Sequence, residues 1–313
     1  MDNNQTGLLL SICIPTRGRQ QILKKTLSSI FNSKVNISDY EVVIYDSSDY
    51  GGSEYDILRE FPYANLVYKT GPNNGFLNIM NALKIGNGNF LKLHNDYCEF
   101  CEDGLQQMVD LVKNSVKTQP VLFFPNGNVK INKIEGFDSF NGFMYSISFY
   151  SSWSSALGIW KTDFERIKNI DVEPMFPHAS LLFALSDKPS YLVNNNVLVK
   201  YQEVNTKGGY NLFETFAVIY LGMIKGCLQK KQITLSTFQH IKSDLLINFL
   251  SLWYCKTKIL ANQYTFTLSG IKSSIKIYYS NMSYFSMVLL AYGYALKMLI
   301  KTFLKLLLNK NTV

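Results

Sequence analysis

Three clusters of polar side chains stand where apolar runs stop. The run Gly88-Asn89-Phe90-Leu91-Lys92-Leu93 leads into His94-Asn95-Asp96. Asp96 is the carboxylate best suited to a divalent cation, because Mg²⁺ and similar hard cations take oxygen ligands and share them with substrate phosphates. The run Leu8 to Ile14 ends at Pro15-Thr16-Arg17-Gly18-Arg19, which puts two cations and a glycine at its end. The run Glu41 to Tyr45 ends at Asp46-Ser47-Ser48-Asp49. Each cluster alone reads equally well as a cap or a solvated turn, so the case rests on all three occurring together. A zinc reading of His94, Cys98 and Cys101 competes, since zinc takes both ligand types. No second pair follows at zinc-ribbon spacing, and the thiols also suit packing as small hydrophobes.

These clusters need elements that bring them together. Apolar stretches at 8–14, 41–45, 65–68 and 89–94 predict strands, the first ended by Pro15. Residues 20–31, with Ile22, Leu23, Leu27, Ile30 and Phe31 at helical spacing, predict a helix; 53–61 and a segment around Ile79, Leu83 and Ile85 predict two more. Gly71-Pro72-Asn73-Asn74-Gly75 is a turn. Strands alternating with helices imply a mostly parallel α/β sheet covered on both faces, and such sheets bind ligands at the carboxyl ends of their strands. All three polar clusters then open on one edge.

Taken in order, Ser11-Ile12-Cys13-Ile14-Pro15-Thr16-Arg17-Gly18-Arg19, Val43-Ile44-Tyr45-Asp46-Ser47-Ser48, Asn74-Gly75, and Gly88 to Leu93 ahead of Asn95-Asp96 resemble the family 2 glycosyltransferases of GT-A (Rossmann-like) fold over about residues 8–210. The resemblance implies an inverting sugar transfer from a nucleotide-sugar donor to a saccharide or polyprenyl-linked acceptor, of the kind that builds capsule or O-antigen polysaccharide. It assigns Pro15, Thr16, Arg17, Arg19, Asp46, Ser48, Asn74, Gly75, Lys92 and Asn95 to the donor. It assigns Asp96 to a divalent metal (Mg or Mn), with Glu99 or Asn95 left to complete the site. The usual run of aspartates has become Asn95-Asp96-Tyr97, and the family's Glu-Asp catalytic pair is missing. His178 and Glu173, in the corresponding span 171–180, are the candidates for the base; an imidazole near its ordinary pKa suits proton abstraction at neutral pH. The same departures support an alternative, a degenerate nucleotide-binding or scaffold protein of such an assembly machinery.

Composition separates the two ends of the chain. Residues 1–210 carry 19 Lys/Arg against 21 Asp/Glu, whereas 211–313 carry 12 against 2, within a total of +8. A basic tail points to a polyanionic partner. No nucleic-acid recognition motif accompanies it, which favours an anionic membrane surface. Gly208-Gly209-Tyr210 marks the expected boundary between a domain at 1–209 and a helical tail at 210–313. Residues 277–296 are 20 consecutive uncharged positions, diluted by serines and five tyrosines. Lys297, Lys301 and Lys305 recur beside Leu299, Ile300, Phe303 and Leu304, as in helices that lie in the membrane interface. The start, Met1-Asp2-Asn3-Asn4-Gln5, lacks a basic n-region, and five irregularly spaced cysteines make no disulfide framework. The expectation is a cytoplasmic protein, peripheral on the inner face of the cell membrane.

Overall fold

The computed structural model describes residues 7–49, 53–204, 208–261 and 264–310, the side chains of 53, 303 and 305–310 apart. The chain divides into two compact units, 1–203 and 204–313.

The first unit is built on β1 (Leu10–Thr16), α1 (Gln20–Phe31), β2 (Tyr40–Asp46), α2 (Ser53–Glu60), β3 (Leu66–Thr70), α3 (Asn78–Ile85) and β4 (Phe90–Leu93). After β4 come β5 (Cys98–Phe100), α4 (Gly104–Ser115), β6 (Val121–Phe123), β7 (Ile134–Phe137), α5 (Phe140–Ile147) and β8 (Gly158–Trp160). Then follow α6 (Lys161–Ile167), α7 (Pro177–Ala184), β9 (Tyr191–Asn194) and β10 (Val199–Tyr201). The main sheet has the order β3-β2-β1-β4-β8, parallel except for β8, which runs against β4. A second sheet, β6-β9-β7, and an antiparallel pair, β10-β5, complete the unit.

Alternation along β1 explains the layering. Leu10, Ile12 and Ile14 fall on one face and join Leu23, Leu27 and Ile30 of α1 in the core. Helix α3, whose Ile79, Ala82 and Leu83 are buried outside that cluster, packs on β1 and β2. The buried strands read as near-continuous apolar runs, as expected when both faces are covered.

One detail differs from the sequence expectation. Strand β1 does not stop at Pro15 but continues to Thr16, pairing Pro15 with Tyr45 and Thr16 with Asp46. Pairing with β4 ends at Cys13↔Leu93, so the prolyl nitrogen, which alternates onto that side, breaks no ladder bond. Gly88 explains how β4 is seated: a Cβ there would lie 2.7 Å from Leu10 C and Ser11 N, and its own N–H donates to Ser11 Oγ at 2.7 Å.

The second unit begins with β11 (Gly208–Asn211), which pairs with β12 (Thr265–Thr267). The division therefore falls before Gly208 and not after Gly209. Leu212–Gln229 is a half-buried helix interrupted by a π-helical segment at Thr215–Tyr220. The last helix, Asn281–Lys310, is long and apolar enough to cross a membrane over Asn281–Thr302, yet only 17% of that window is buried. Among its described side chains Met287, Ala291 and Ala295 are buried; the latter two cluster with Cys255.

Candidate functional site

The register Thr16↔Asp46 sets two strand ends side by side, and the turn after β4 adds the third. Thr16 Oγ1 donates to Asp96 Oδ2 at 2.6 Å, and Arg19 Nε lies 2.9 Å from the same oxygen. Thr26, buried on α1, donates to the Asp96 carbonyl at 2.8 Å, and Gln202 Nε2 donates to Thr26 Oγ1 at 3.2 Å. The Arg19 guanidinium also sits 5.7 Å from the Tyr97 ring centroid. Asp96 is 1% exposed. Burial raises its pKa from the ordinary carboxylate value, opposed by the Arg19 charge and the Thr16 hydrogen bond.

Asp46 is the second centre. Its Oδ1 accepts from Ser48 N at 2.9 Å and Ser48 Oγ at 2.5 Å, while Oδ2 accepts from Tyr68 OH at 2.6 Å. Gly18, at φ +64°, lets the basic turn fold back so that its N–H donates to Ser48 Oγ at 2.8 Å. Arg17 pairs with Asp49 at 2.9 Å on the surface, where such a pair contributes little. Thr16, Arg17, Gly18, Arg19, Gln20, Leu23, Asp46, Ser48, Asp49 and Tyr68 line one cavity of about 610 Å³ at the carboxyl edge of the sheet. That volume suits a nucleotide-sized ligand.

Other expected residues lie around it. Asn74 N and Gly75 N donate to Asn78 Oδ1 and Asn73 Oδ1. Asn78, buried, donates to Ser47 Oγ at 2.9 Å, and Ser47 Oγ donates to Thr16 O, which ties the Gly71–Gly75 turn to both strand ends. Asn95 donates to Tyr97 OH at 2.9 Å and accepts from Ser154 Oγ at 3.3 Å.

Lys92 is not brought to the cavity. It shares a face of β4 with Phe90, buried, its Nζ donating to Leu93 O and Ser155 O and lying 5.3 Å from the Phe124 ring centroid. Burial without a carboxylate partner brings its pKa down to about 7. His94 Nε2 bonds Cys98 O at 2.8 Å and its ring stacks on Phe100, so the zinc reading finds its imidazole committed. Glu99 sits on β5 opposite Lys200 in register. Among the described residues no group of three or more His, Cys, Asp or Glu is placed to hold a metal. One carboxylate oxygen nevertheless fits a cation: Asp96 Oδ1 is buried and has no hydrogen-bond partner. A single Asp with diphosphate oxygens and water is a sufficient set for Mg²⁺.

His178 occupies the first turn of α7, 5% exposed, its Nε2 bonded to Ser152 O at 2.8 Å. Burial pushes its pKa down to about 4. Glu173 precedes the helix, half-buried, with Oε1 accepting from Met175 N at 3.2 Å and its own N–H donating to Ser180 Oγ.

Tyr68, Asn78 and Thr26 were not among the expected residues. The signal for Tyr68 was present: Ile44↔Tyr68 and Asp46↔Thr70 are registered pairs, so period-two alternation puts Tyr68 and Asp46 on one face.

Residues 11–160 match the family described as Glycosyl transferase family 2. No curated protein matches the chain. Among solved structures, that of S. aureus TarS 1–349 in complex with UDP-GlcNAc aligns at TM-score 0.57 and 14% identity, covering 81% of this chain and 76% of that one. The complex of the same portion with UDP aligns at TM-score 0.55 and 15% identity, covering 81% and 75%. The longer S. aureus TarS aligns at 0.52 and 16%, and the chain spans only 44% of its length. At these identities the likeness is one of fold, a GT-A-type α/β unit.

Proposed function

We propose, for a chain that carries a glycosyl transferase family 2 domain over residues 11–160, that it transfers a sugar from a nucleoside-diphosphate donor to a saccharide acceptor with inversion at the anomeric carbon. The observation that carries this reading is the single cavity lined by Thr16, Arg19, Asp46, Ser48 and Tyr68 at the carboxyl edge of the sheet. Asp46, fixed by Ser48 and Tyr68, is placed to accept from a nucleobase or ribose, and the Arg17-Gly18-Arg19 turn meets the diphosphate. Asp96 is the residue that would hold a divalent cation, which when bound stabilises negative charge on the departing diphosphate. TarS, similar in fold, is seen with UDP-GlcNAc, so uridine nucleotides are the first to test.

Inversion requires a base on the acceptor side. Glu173 is half-buried, whereas His178 is sealed on Ser152 O and held neutral. We therefore assign the proton to the Glu173 carboxylate and give His178 the task of positioning the 148–156 segment.

The second unit is assigned to the membrane. On Asn281–Lys310, Met282, Phe285, Leu289, Tyr292, Leu296 and Leu299 recur every three or four residues and are all exposed, opposite the buried Ala291 and Ala295. Lys297 and Lys301 flank the stripe. A helix with one face packed on protein and the other apolar lies in the interface plane. An acceptor carried on a polyprenyl lipid would be met there, and the reaction we propose is one of surface-polysaccharide assembly, of capsule or O-antigen type, at the inner face of the membrane.

Incubating the protein with UDP- and GDP-sugars, with and without Mn²⁺, tests the reading. Slow donor hydrolysis, accelerated by an acceptor extract, is expected from at least one sugar nucleotide. Nucleotide binding with no turnover on any donor or acceptor would favour the scaffold alternative, and absence of nucleotide binding would overturn both.

A further inference from the structure

Asp96 is the one residue assigned above to a cation, yet it is 1% exposed and does not line the cavity; the two side chains bound to it, Thr16 and Arg19, do. Arg19 is 31% exposed toward that cavity. Its Nε lies 2.9 Å from Asp96 Oδ2 but outside hydrogen-bond alignment, while Asp96 Oδ1 is left without a partner. The contact is therefore one of charge and not an aligned fork of the kind that makes arginine–carboxylate pairs strong. Tyr97 steadies the guanidinium from the side. A guanidinium and a divalent ion cannot both sit on one carboxylate without strong like-charge repulsion.

We propose that Arg19 is a resident counter-ion that guards Asp96, so that the carboxylate takes up a divalent cation only when a diphosphate draws the guanidinium away. Arg19 exchanges a misaligned carboxylate contact for phosphate oxygens that match its planar fork, and Asp96 Oδ2 is released beside the already unpaired Oδ1. Binding is then ordered: diphosphate and cation enter together, and neither the carboxylate nor the arginine is left as an uncompensated buried charge at any stage. This inference rests on the donor reading above.

The test uses the full chain, Mn²⁺ followed by electron paramagnetic resonance, and either UDP or inorganic pyrophosphate as the anion. The parent is expected to bind no Mn²⁺ alone at millimolar concentration and to bind it once either anion is added. Arg19→Gln is expected to bind Mn²⁺ alone at least about tenfold more tightly than the parent, and UDP without metal at least about tenfold more weakly. Arg19→Lys, which keeps the charge, should resemble the parent in excluding Mn²⁺, and it carries the test if the glutamine variant does not fold. Parent and Arg19→Gln binding Mn²⁺ alone with equal affinity overturns the guard, as does absence of Mn²⁺ binding to the parent even with UDP. Failure of UDP to bind at all, with pyrophosphate still recruiting Mn²⁺, removes the donor reading and leaves the guard standing.

Discussion

At the level of single residues the site is a set of carboxylates with different partners. Asp46 is held by hydroxyls and a backbone N–H, so its charge is stabilised locally and its acceptor directions are fixed. Asp46→Ala is expected to weaken UDP binding by about 1.5–3 kcal/mol, the loss of a charged hydrogen bond, and Tyr68→Phe by about 1 kcal/mol because only one support is removed. Calorimetric titration on folded variants checks both; unchanged affinity in Asp46→Ala removes it from the donor. Glu173 and His178 separate by their surroundings. Glu173→Gln should lower turnover by about two orders of magnitude or more with little change in melting temperature, whereas His178→Gln, whose amide nitrogen stands where Nε2 bonds Ser152 O, should keep turnover within about tenfold. His178 also bears on acid stability. Its folded pKa of about 4 lies below the unfolded value near 6.5, so between these the unfolded chain binds more protons. The stability it confers is complete above pH 6.5 and is lost as pH falls toward 4. Denaturant midpoints measured across that window should fall less steeply in His178→Gln than in the parent.

At the scale of elements, the parallel strands and the helices between them were legible because their signals are local. Apolar runs of strand length alternate with helical periodicity through residue 93, and the polar clusters at 16–19, 46–49 and 95–96 lie at the strand ends they were expected to mark. What escaped was pairwise geometry. The antiparallel β8, the second sheet and the pairing of β11 with β12 join segments far apart in sequence, and no composition announces them. Lys92 looked like a strand-end cation, but the alternation of β4 turns it into the core beside Phe124. Thr26 was invisible for the same reason: on α1 it reads as one buried position among Leu23, Leu27 and Ile30, and its bond to the Asp96 carbonyl exists only once α1 is laid against the turn after β4. Thr26→Val keeps the shape and removes both hydrogen bonds, leaving the Asp96 carbonyl without its hydroxyl donor and Gln202 Nε2 with Ile22 O alone. A loss of about 1–3 kcal/mol in unfolding free energy is expected, together with weaker Mn²⁺ uptake in the presence of UDP. Unaltered metal uptake in a destabilised variant would reduce Thr26 to packing.

For the whole molecule the question is what a chain with a slightly acidic α/β unit does with a strongly basic second one. The last helix answers through its two faces. Removing it outright is a poor test, because Ala291 and Ala295 pack on Cys255 and Tyr294 OH donates to Ile247 O, so deletion strips apolar cover from the second unit as well. Substituting the exposed stripe is cleaner. Leu289 and Leu296 are 74% and 61% exposed, and replacing both with Glu adds no buried charge and spares the packed face. Each leucine contributes about 1.5–3 kcal/mol when fully transferred from water to an apolar phase, and each lysine near an anionic surface adds about 1 kcal/mol. The double variant is therefore expected to lose at least about a hundredfold in affinity for vesicles of anionic phospholipid while its circular dichroism and its UDP affinity stay as in the parent. Raising salt should weaken the parent's vesicle binding in part, since screening removes the lysine contribution and leaves the apolar one. If the double variant still sediments with vesicles, the membrane contact lies on another surface; if it stays soluble and keeps turnover on a short, water-soluble acceptor while losing it on a lipid-carried one, the second unit acts by bringing the donor site to its acceptor.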